Sequence, residues 1–266
     1  MPHNRSTALR ISVVVPTVGR PELARALNSV TQQTEPASQV IVVDNCRDPA
    51  TVPEVIHRHC PGAVLTRIQP MAGPSRSRNA GAALSKMEYI CFLDDDDAFS
   101  PTYLAEVRAQ LLEDGHKAVY TTKIYKSDGG DTLRVKTIRD VPEGEWFSHL
   151  YQHGNAGVGG TNLVVERALF FELGGFDASL KTAEDREFAL RLLTHEDGNR
   201  SVGASEAEVL CRSVPGPRAK LHPSRPRALA QITFRYWPYA SFRFRVKSVA
   251  GTVATYFKYA LSSWRR

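Results

Sequence analysis

The first 93 residues alternate between short β-branched runs and segments of helical periodicity. The first run contains Ile11, Val13, Val14 and Val15 and ends at Pro16. A nearly continuous apolar run is typical of a central parallel strand that is buried on both faces. Helical spacing follows it, and the sequence then supplies three more strand-like runs, QVIVVDN, AVLTRI and EYICFL. This alternation predicts an α/β fold with a mainly parallel sheet and helices on both faces.

Length and cysteine usage predict one large domain, or one domain with an appendage, in a reducing compartment. The chain has 266 residues, of which 42% are hydrophobic, and this is enough for a sizeable core. Its four cysteines show neither CxxC pairing nor metal-ligand spacing. The start, MPHNRSTALR, lacks a secretory pattern. We therefore expect reduced thiols and a cytoplasmic protein.

The net charge of +6 is divided unevenly along the chain. Twelve of the 34 basic residues and none of the 28 acidic ones lie from Arg212 to Arg266. An acidic body thus carries a basic tail, and such segregation usually concerns a partner rather than the fold. We predict a catalytic domain over residues 8–211 and a basic, partly amphipathic helical extension over residues 212–266.

Polar residues stand where the predicted strands end. Pro16 to Arg20 follow the first strand, Asp44 follows the second, and Asp94 to Asp97 follow the fourth. Arg76 and Arg78 lie near the start of a predicted helix, where backbone N–H groups and the helix dipole favour an anion. Ligands of such sheets bind outside the carboxyl ends of the strands. The sequence therefore predicts one edge with carboxylates, two arginines and a phosphate cradle.

The four adjacent carboxylates suggest a divalent cation. Ionised carboxylates this close repel one another, and an ion with oxygen ligands such as Mg²⁺ or Mn²⁺ relieves the repulsion. If the segment stays extended, Asp94 and Asp96 share one face, and Asp95 and Asp97 share the other. The alternative is a solvated acidic turn.

Four ordered motifs resemble those of the family-2 glycosyltransferases of GT-A fold. They are ISVVVPTVGRPELARALNSVTQQ with VIVVDN, AGPSRSRNAG, YICFLDDDDAF and GGFDASLKTAEDREFALRL, and together they cover about residues 10–195. The resemblance implies a Rossmann-like mixed sheet, a nucleotide-diphosphate-sugar donor, a divalent metal and transfer with inversion at the anomeric carbon.

The resemblance also implies roles for individual side chains. Asp96 would bind the metal, Asp94 would lie by the ribose, and Asp95 is the alternative ligand because the register is not unique. Asp44 would meet the base. The remaining donor-site residues, which would line the nucleotide pocket or lie near the base and diphosphate, are Pro16, Thr17, Arg20, Arg76 and Arg78.

Two further residues complete the implied site. Asp185 matches the catalytic base, although Thr182 and Asp185 also form a helix-capping pattern. Glu184 beside it either positions the acceptor or is solvated. His222 is a candidate metal ligand, and the alternative is a structural or exposed histidine.

The last twenty residues predict an amphipathic helix. Val249, Val253, Tyr256, Phe257, Ala260, Leu261 and Trp264 form its apolar stripe. Lys258 makes the segment too polar for a comfortable membrane span. The helix could lie on anionic lipid, or it could pack on the body or on a second subunit in a homo-oligomer. No recognisable nucleic-acid motif accompanies the charge.

Together these observations predict a cytoplasmic, metal-dependent, inverting glycosyltransferase, with peripheral attachment at the inner face of the cell membrane as one option. The expected donor is a UDP-sugar, with a dTDP-sugar as the alternative. The acceptor hydroxyl would belong to a polysaccharide, a lipid-linked glycan or a metabolite. Two other functions remain open at this stage. One is a nucleotidyltransferase, for which a Gly-rich triphosphate loop is missing, and the other is a non-catalytic protein that binds sugar nucleotides.

Overall fold

The computed structural model of the chain describes residues 9–48, 51–127, 132–135, 137–153, 157–195, 202–212 and 223–263. The strands are β1 (Ile11–Thr17), β2 (Gln39–Asp44), β3 (Val64–Arg67), β4 (Tyr89–Phe92), β5 (Asp97–Phe99), β6 (Ala118–Ser127), β7 (Thr132–Arg134), β8 (Leu163–Glu166) and β9 (Val202–Arg212). The helices are α1 (Leu23–Thr31), α2 (Val52–His59), α3 (Pro74–Leu84), α4 (Tyr103–Asp114), α5 (Trp146–His153), α6 (Arg167–Glu172), α7 (Glu184–Thr194), α8 (Arg225–Arg235) and α9 (Phe242–Ser263).

The described strands form one mixed sheet in the order β3-β2-β1-β4-β8-β6-β9-β5, and β7 pairs with β6. Within the first four strands, all pairs are parallel: β1 with β2, β1 with β4, and β2 with β3. Strand β8 is antiparallel to both β4 and β6. The predicted α/β fold, with a parallel first half and helices around a mixed sheet, is confirmed.

Helices cover both faces of the sheet, as the apolar runs predict. Val13 packs in one core cluster with residues of α1, α2 and α4. Val14 packs in a second cluster with residues of α3 and α5 to α8. Both valines are fully buried. Because neighbouring side chains of a strand point to opposite faces, a continuous β-branched run supplies both cores at once.

Helix α3 lies unusually close to the sheet. A Cβ added to Gly81 would stand 2.3 Å from Cγ1 of Val14 and 3.0 Å from Cγ2 of Val43. Only a glycine permits this approach, since real Cβ atoms do not come so near to other carbon atoms. The contact holds the N-terminal half of α3, which carries Arg78, against the carboxyl ends of the strands.

The predicted domain division falls at the end of β9, but the helix that follows belongs to the body. Ile232 and Tyr236 are buried in the same cluster as the core of α7. Glu187 of α7 is fully buried and accepts hydrogen bonds from Arg235 at 2.7 Å and from the Tyr236 hydroxyl at 2.9 Å. The first helix of the extension is therefore held against the body by buried hydrogen bonds and apolar contacts.

Helix α9 is amphipathic in the sense that the sequence predicts, but its apolar face points to solvent. Phe242, Val246, Val253, Tyr256 and Phe257 are all between 47% and 79% exposed. The opposite face packs on the body through small and polar side chains such as Ser248 and Thr252. Trp264, at the end of the predicted stripe, lies outside the described residues.

No helix in the described part of the chain combines the length and the apolar character that a membrane crossing requires.

Candidate active site

A cleft of about 820 Å³ opens at the carboxyl ends of β1 and β4, beside the start of α3 and α7. It brings together most of the residues that the motifs single out. The predicted residues that line it are Pro16, Thr17, Arg20, Arg78, Asp94, Asp95 and Asp96. The position agrees with the rule that ligands of open α/β sheets bind outside the carboxyl ends of the strands.

Asp95 organises the loop after β1. Its carboxylate accepts hydrogen bonds from the Thr17 hydroxyl at 2.7 Å, the Val18 backbone N–H at 3.1 Å and Arg20 at 2.5 Å. The side chain is buried, and both carboxylate oxygens have protein partners. These bonds hold Pro16 to Arg20 against the end of β4.

Asp94, Asp96 and Asp97 form the acidic cluster instead. One carboxylate oxygen of each lies within 4.8 Å of the others. The expected pairing of Asp95 with Asp97 is wrong, because the segment does not stay extended. It turns at Asp95 and Asp96, and the Asp97 N–H donates to the Asp94 carbonyl at 3.1 Å.

The chemistry of this cluster fits a divalent cation. Burial raises the pKa of Asp97, and the charges of Asp94 and Asp96 raise it further. The pKa of Asp96 is also raised by burial and by Asp94, although Arg20 opposes the change. A set of crowded carboxylate oxygens is the donor set that Mg²⁺ and Mn²⁺ prefer, and such an ion would relieve the repulsion.

Arg78 is the buried cation of the site. Its guanidinium donates to Asp94 at 2.6 Å and to Glu184 at 3.0 Å, and it stacks over the Phe176 ring. Burial alone would lower the pKa of Arg78, but the two carboxylates outweigh burial and raise it. A Cβ on Gly160 would stand 2.3 Å from the centre of the guanidinium, so a glycine is needed there.

The sequence leaves Glu184 between two roles, and the structure gives it a third. It is neither solvated nor directed only at the cleft, because it is buried and paired with Arg78 from 106 positions away. From sequence, Gly160 receives no role, and Asp97 receives none beyond its place in the acidic run. The glycine pair before Thr161 is the sequence signal that could have suggested a close backbone approach.

Asp185 lies in the first turn of α7, beside Glu184. Burial raises the pKa of its carboxyl, and the negative charge of Glu184 adds to the effect. Helix α7 begins at Glu184 and has Ala183 as its N-cap residue, one position after the Thr182 of the predicted capping pattern. Ala183 has a φ of 63°, a left-handed conformation that costs energy for an alanine and is common near functional sites.

Four predicted residues are not among those that line the cleft. One is Asp185, although its neighbour Glu184 does line it. Arg76 is exposed on α3 and is not among the residues that line the cleft. Asp44 is fully buried. Its carboxylate forms an ion pair with Arg67 at 2.9 Å and accepts a hydrogen bond from the Cys46 N–H. Its neighbour Asn45 lines the cleft instead. His222 lies outside the described residues.

Known proteins share this sequence pattern and this fold. The model of the family "Glycosyl transferase family 2" matches residues 12–170. An uncharacterized glycosyltransferase of Haemophilus influenzae is 29% identical over 184 residues, which cover 69% of this chain and 62% of that protein. WcaA of Escherichia coli, a putative colanic acid biosynthesis glycosyl transferase, is 28% identical over 189 residues, which cover 69% of this chain and 66% of that protein.

The solved structure of S. aureus TarS 1-349 in complex with UDP-GlcNAc has a similar fold, with a TM-score of 0.68 and 19% sequence identity. The match covers 94% of this chain and 73% of that one. At this identity the likeness shows the fold alone. The family match covers more than half of the chain and contains the loop after β1, the start of α3 and the acidic cluster. The chain belongs to glycosyl transferase family 2.

Proposed function

We propose that this protein transfers a sugar from a nucleotide-diphosphate donor to an acceptor hydroxyl, with inversion at the anomeric carbon. The observation that carries the proposal is the cleft in which Arg78, Asp94 and Asp96 meet the loop after β1. Family membership favours glycosyl transfer over the nucleotidyltransferase alternative and over a protein that only binds sugar nucleotides. A UDP-sugar is the favoured donor and a dTDP-sugar is the alternative, and the TarS complex with UDP-GlcNAc supports the first.

Asp94, Asp96 and Asp97 would hold Mn²⁺ or Mg²⁺. Such an ion, when bound, supplies positive charge that stabilises the departing diphosphate. Arg78 holds Asp94 and Glu184 in place from behind the cluster. Asp95 acts in the same way on Thr17 at the end of β1 and on Arg20 in the loop that follows it.

Asp185 would accept the proton of the acceptor hydroxyl. In that step the hydroxyl oxygen forms a bond to the anomeric carbon, while the bond from that carbon to the diphosphate oxygen breaks. The electron pair leaves with the nucleotide diphosphate, and the proton goes to the Asp185 carboxylate. A raised pKa strengthens this base, because a general base works best when its pKa is near the working pH.

Donor binding is the experiment that tests the cleft. Thermal unfolding should be measured with UDP, dTDP, GDP and CDP, each with and without Mn²⁺. A ligand at about 100-fold over its dissociation constant adds about 2.7 kcal/mol to the free energy of unfolding. We expect one uridine or thymidine diphosphate to raise the midpoint with Mn²⁺, and Asp96→Ala to remove the metal-dependent part. A chain that responds to none of the four nucleotides would contradict the proposal.

We further propose that the acceptor belongs to a surface polysaccharide, a lipid-linked glycan or a glycosylated metabolite, and that the protein works on the cytoplasmic face of an anionic membrane. The colanic acid assignment of WcaA supports a polysaccharide acceptor. The exposed apolar residues of α9 support the proposed membrane contact, because the exposed basic residues Arg243 and Lys247 lie among them. Apolar and basic side chains on one helix suit the surface of anionic lipid.

A further inference from the structure

A second, smaller pocket of about 220 Å³ lies between α5, α7, α8 and α9. None of the residues that line it also lines the donor cleft. Drug-sized ligands usually occupy pockets of about 300–1,000 Å³, so this volume suits a small group rather than a sugar nucleotide. Its walls carry two arginines, Arg186 and Arg225, together with the hydroxyl side chains of Thr233, Thr252 and Thr255.

Arg186 is a buried cation whose charge and hydrogen-bond donors are only partly matched by the surrounding residues. It is 8% exposed, and its guanidinium donates one hydrogen bond to the Tyr151 carbonyl. Its buried Nε–H has no hydrogen-bond partner among the described residues. Burial lowers the pKa of Arg186 to about 10, and the positive charge of Arg225 lowers it more than Asp185 raises it. An unsatisfied buried donor on a charged group is costly and calls for an acceptor.

Among the described residues, the walls of the pocket supply no carboxylate as that acceptor. Helices α8 and α9 form two of its walls, and the sequence from residue 212 to residue 266 contains no Asp or Glu. The residues that line the pocket include no acidic side chain either. Asp185 offsets the charge of Arg186 only in part, so the described walls favour an anion from outside the chain.

We propose that this pocket binds a phosphate group, either as free phosphate or as the phosphate of a larger molecule. Arginine is the residue best suited to phosphate, because its N–H donors match two oxygens at once. The Thr233 and Thr252 hydroxyls lie 3.4 Å apart, and the one that does not donate to the other can donate to a remaining oxygen. The Thr255 hydroxyl lines the pocket but donates to the Gly251 carbonyl at 2.8 Å. The bound anion would join the C-terminal helices to α7, directly behind Asp185. The proposal is independent of the donor reaction.

The test measures the thermal unfolding midpoint of the full chain as inorganic phosphate is added. The ionic strength is kept constant with chloride as the reference anion, and EDTA removes divalent metal ions. We expect a saturable rise of the unfolding midpoint. In Arg225→Gln the apparent dissociation constant should rise about tenfold, as for the loss of one charged hydrogen bond. Arg227→Gln is the matched control, because it removes the same charge from an exposed position on the same helix and should change affinity by less than about twofold.

A second variant, Thr252→Val, removes one hydroxyl from the wall at nearly constant volume and keeps the test usable if Arg225→Gln does not fold. It should weaken phosphate binding about threefold. Saturating UDP with Mn²⁺ should leave the phosphate response unchanged. Loss of the response under UDP would place the phosphate in the donor cleft, and an equal loss in Arg225→Gln and Arg227→Gln would reduce it to general charge screening. Either outcome overturns the proposal, as does a wild-type chain without a saturable response.

The source of the phosphate is distinguished by competition. Glycerol 3-phosphate and vesicles of phosphatidic acid in phosphatidylcholine are titrated against bound inorganic phosphate, with pure phosphatidylcholine vesicles as the control. Competition by the soluble ester indicates a phosphorylated acceptor or metabolite, and competition by the anionic vesicles alone indicates a lipid headgroup. In both cases Arg225→Gln should weaken the competitor more than Arg227→Gln does.

Discussion

At the scale of the residue, the site depends on two neighbouring carboxylates with different tasks. Glu184 is paired with the buried Arg78, and Arg78 also binds Asp94 of the acidic cluster. Asp185, one position later and half-buried, has a raised pKa because desolvation and the charge of Glu184 both disfavour its ionised form. Environment rather than residue type therefore separates a structural anion from a candidate base.

Asp185→Asn should abolish sugar transfer but keep donor binding, and it should also stabilise the fold. A carboxyl whose pKa is raised in the folded state favours folding in its protonated form and loses that contribution as pH rises towards the raised value. At neutral pH the free energy of unfolding of the asparagine variant should therefore exceed that of the wild type by at least about 1 kcal/mol. This gain should shrink as pH falls below the raised pKa and vanish near pH 4. Urea unfolding at several pH values measures it, and normal transfer by the variant would rule out the base assignment.

Gly160→Ala should displace Arg78. The added Cβ would collide with the Arg78 guanidinium, whose displacement would disturb its ion pairs with Asp94 and Glu184, and overpacking of this kind costs about 1–3 kcal/mol. We expect a lower unfolding midpoint and weaker metal-dependent donor binding, measured on the same samples. Gly62→Ala is the matched control, because a Cβ at Gly62 meets nothing within 4 Å. Equal behaviour of the two variants would contradict the close contact between Gly160 and Arg78.

At the scale of the element, α7 and α8 act as one unit. The Glu187 carboxylate of α7 is fully buried and binds Arg191 of its own helix at 2.5 Å. It also binds Arg235 and Tyr236, at the end of α8. A buried anion with several donors orders the elements that supply those donors, and its removal leaves their charge uncompensated.

Glu187→Ala should lower the free energy of unfolding by about 3–5 kcal/mol, the usual cost of breaking a buried ion pair from one side. Glu172→Ala is the control: its side chain is 62% exposed and paired only with His195 among the interactions seen here, so the change should stay within about 0.5 kcal/mol. Chemical denaturation of both variants provides the measurement. A loss below about 1 kcal/mol for Glu187→Ala would mean that α8 is held by its apolar contacts instead.

At the scale of the whole molecule, charge and apolar surface are segregated towards the C-terminal end. The extension has twelve basic and no acidic residues, and α9 turns five apolar side chains to solvent, while its Phe244 packs against the body. A monomer in water gains nothing from such a face, and exposed apolar patches of this kind usually mark an interaction surface. The basic residues favour anionic lipid as the occupant.

The full chain should sediment with vesicles that contain phosphatidylglycerol and should remain in solution with pure phosphatidylcholine. Phe242→Ser combined with Phe257→Ser should weaken binding at least about tenfold, because each exposed ring loses about 1.5–3 kcal/mol of burial in the membrane interface. Leu112→Ser is the control, since Leu112 is equally exposed but lies on α4. If the wild type instead shows a mass that increases with concentration and no lipid binding, a second copy of the chain covers α9.

The sequence by itself determined the layered α/β fold, the edge of the sheet that carries the site, and the presence of an amphipathic C-terminal helix. These features follow from local patterns, since strand and helix periodicity and the residues at strand ends are readable over ten or twenty positions. Asp94, Asp96 and Arg78 were identified in this way. Only the tertiary structure decided which carboxylate faces which partner.

Asp95 turns back to the loop after β1, Asp97 joins the cluster, and Glu184 reaches Arg78 across 106 positions. The outward direction of α9's apolar face is likewise a property of the assembled fold. Each of these outcomes depends on the distance between elements that are far apart in sequence. Charge pairing and burial are set by that distance, which no local periodicity contains.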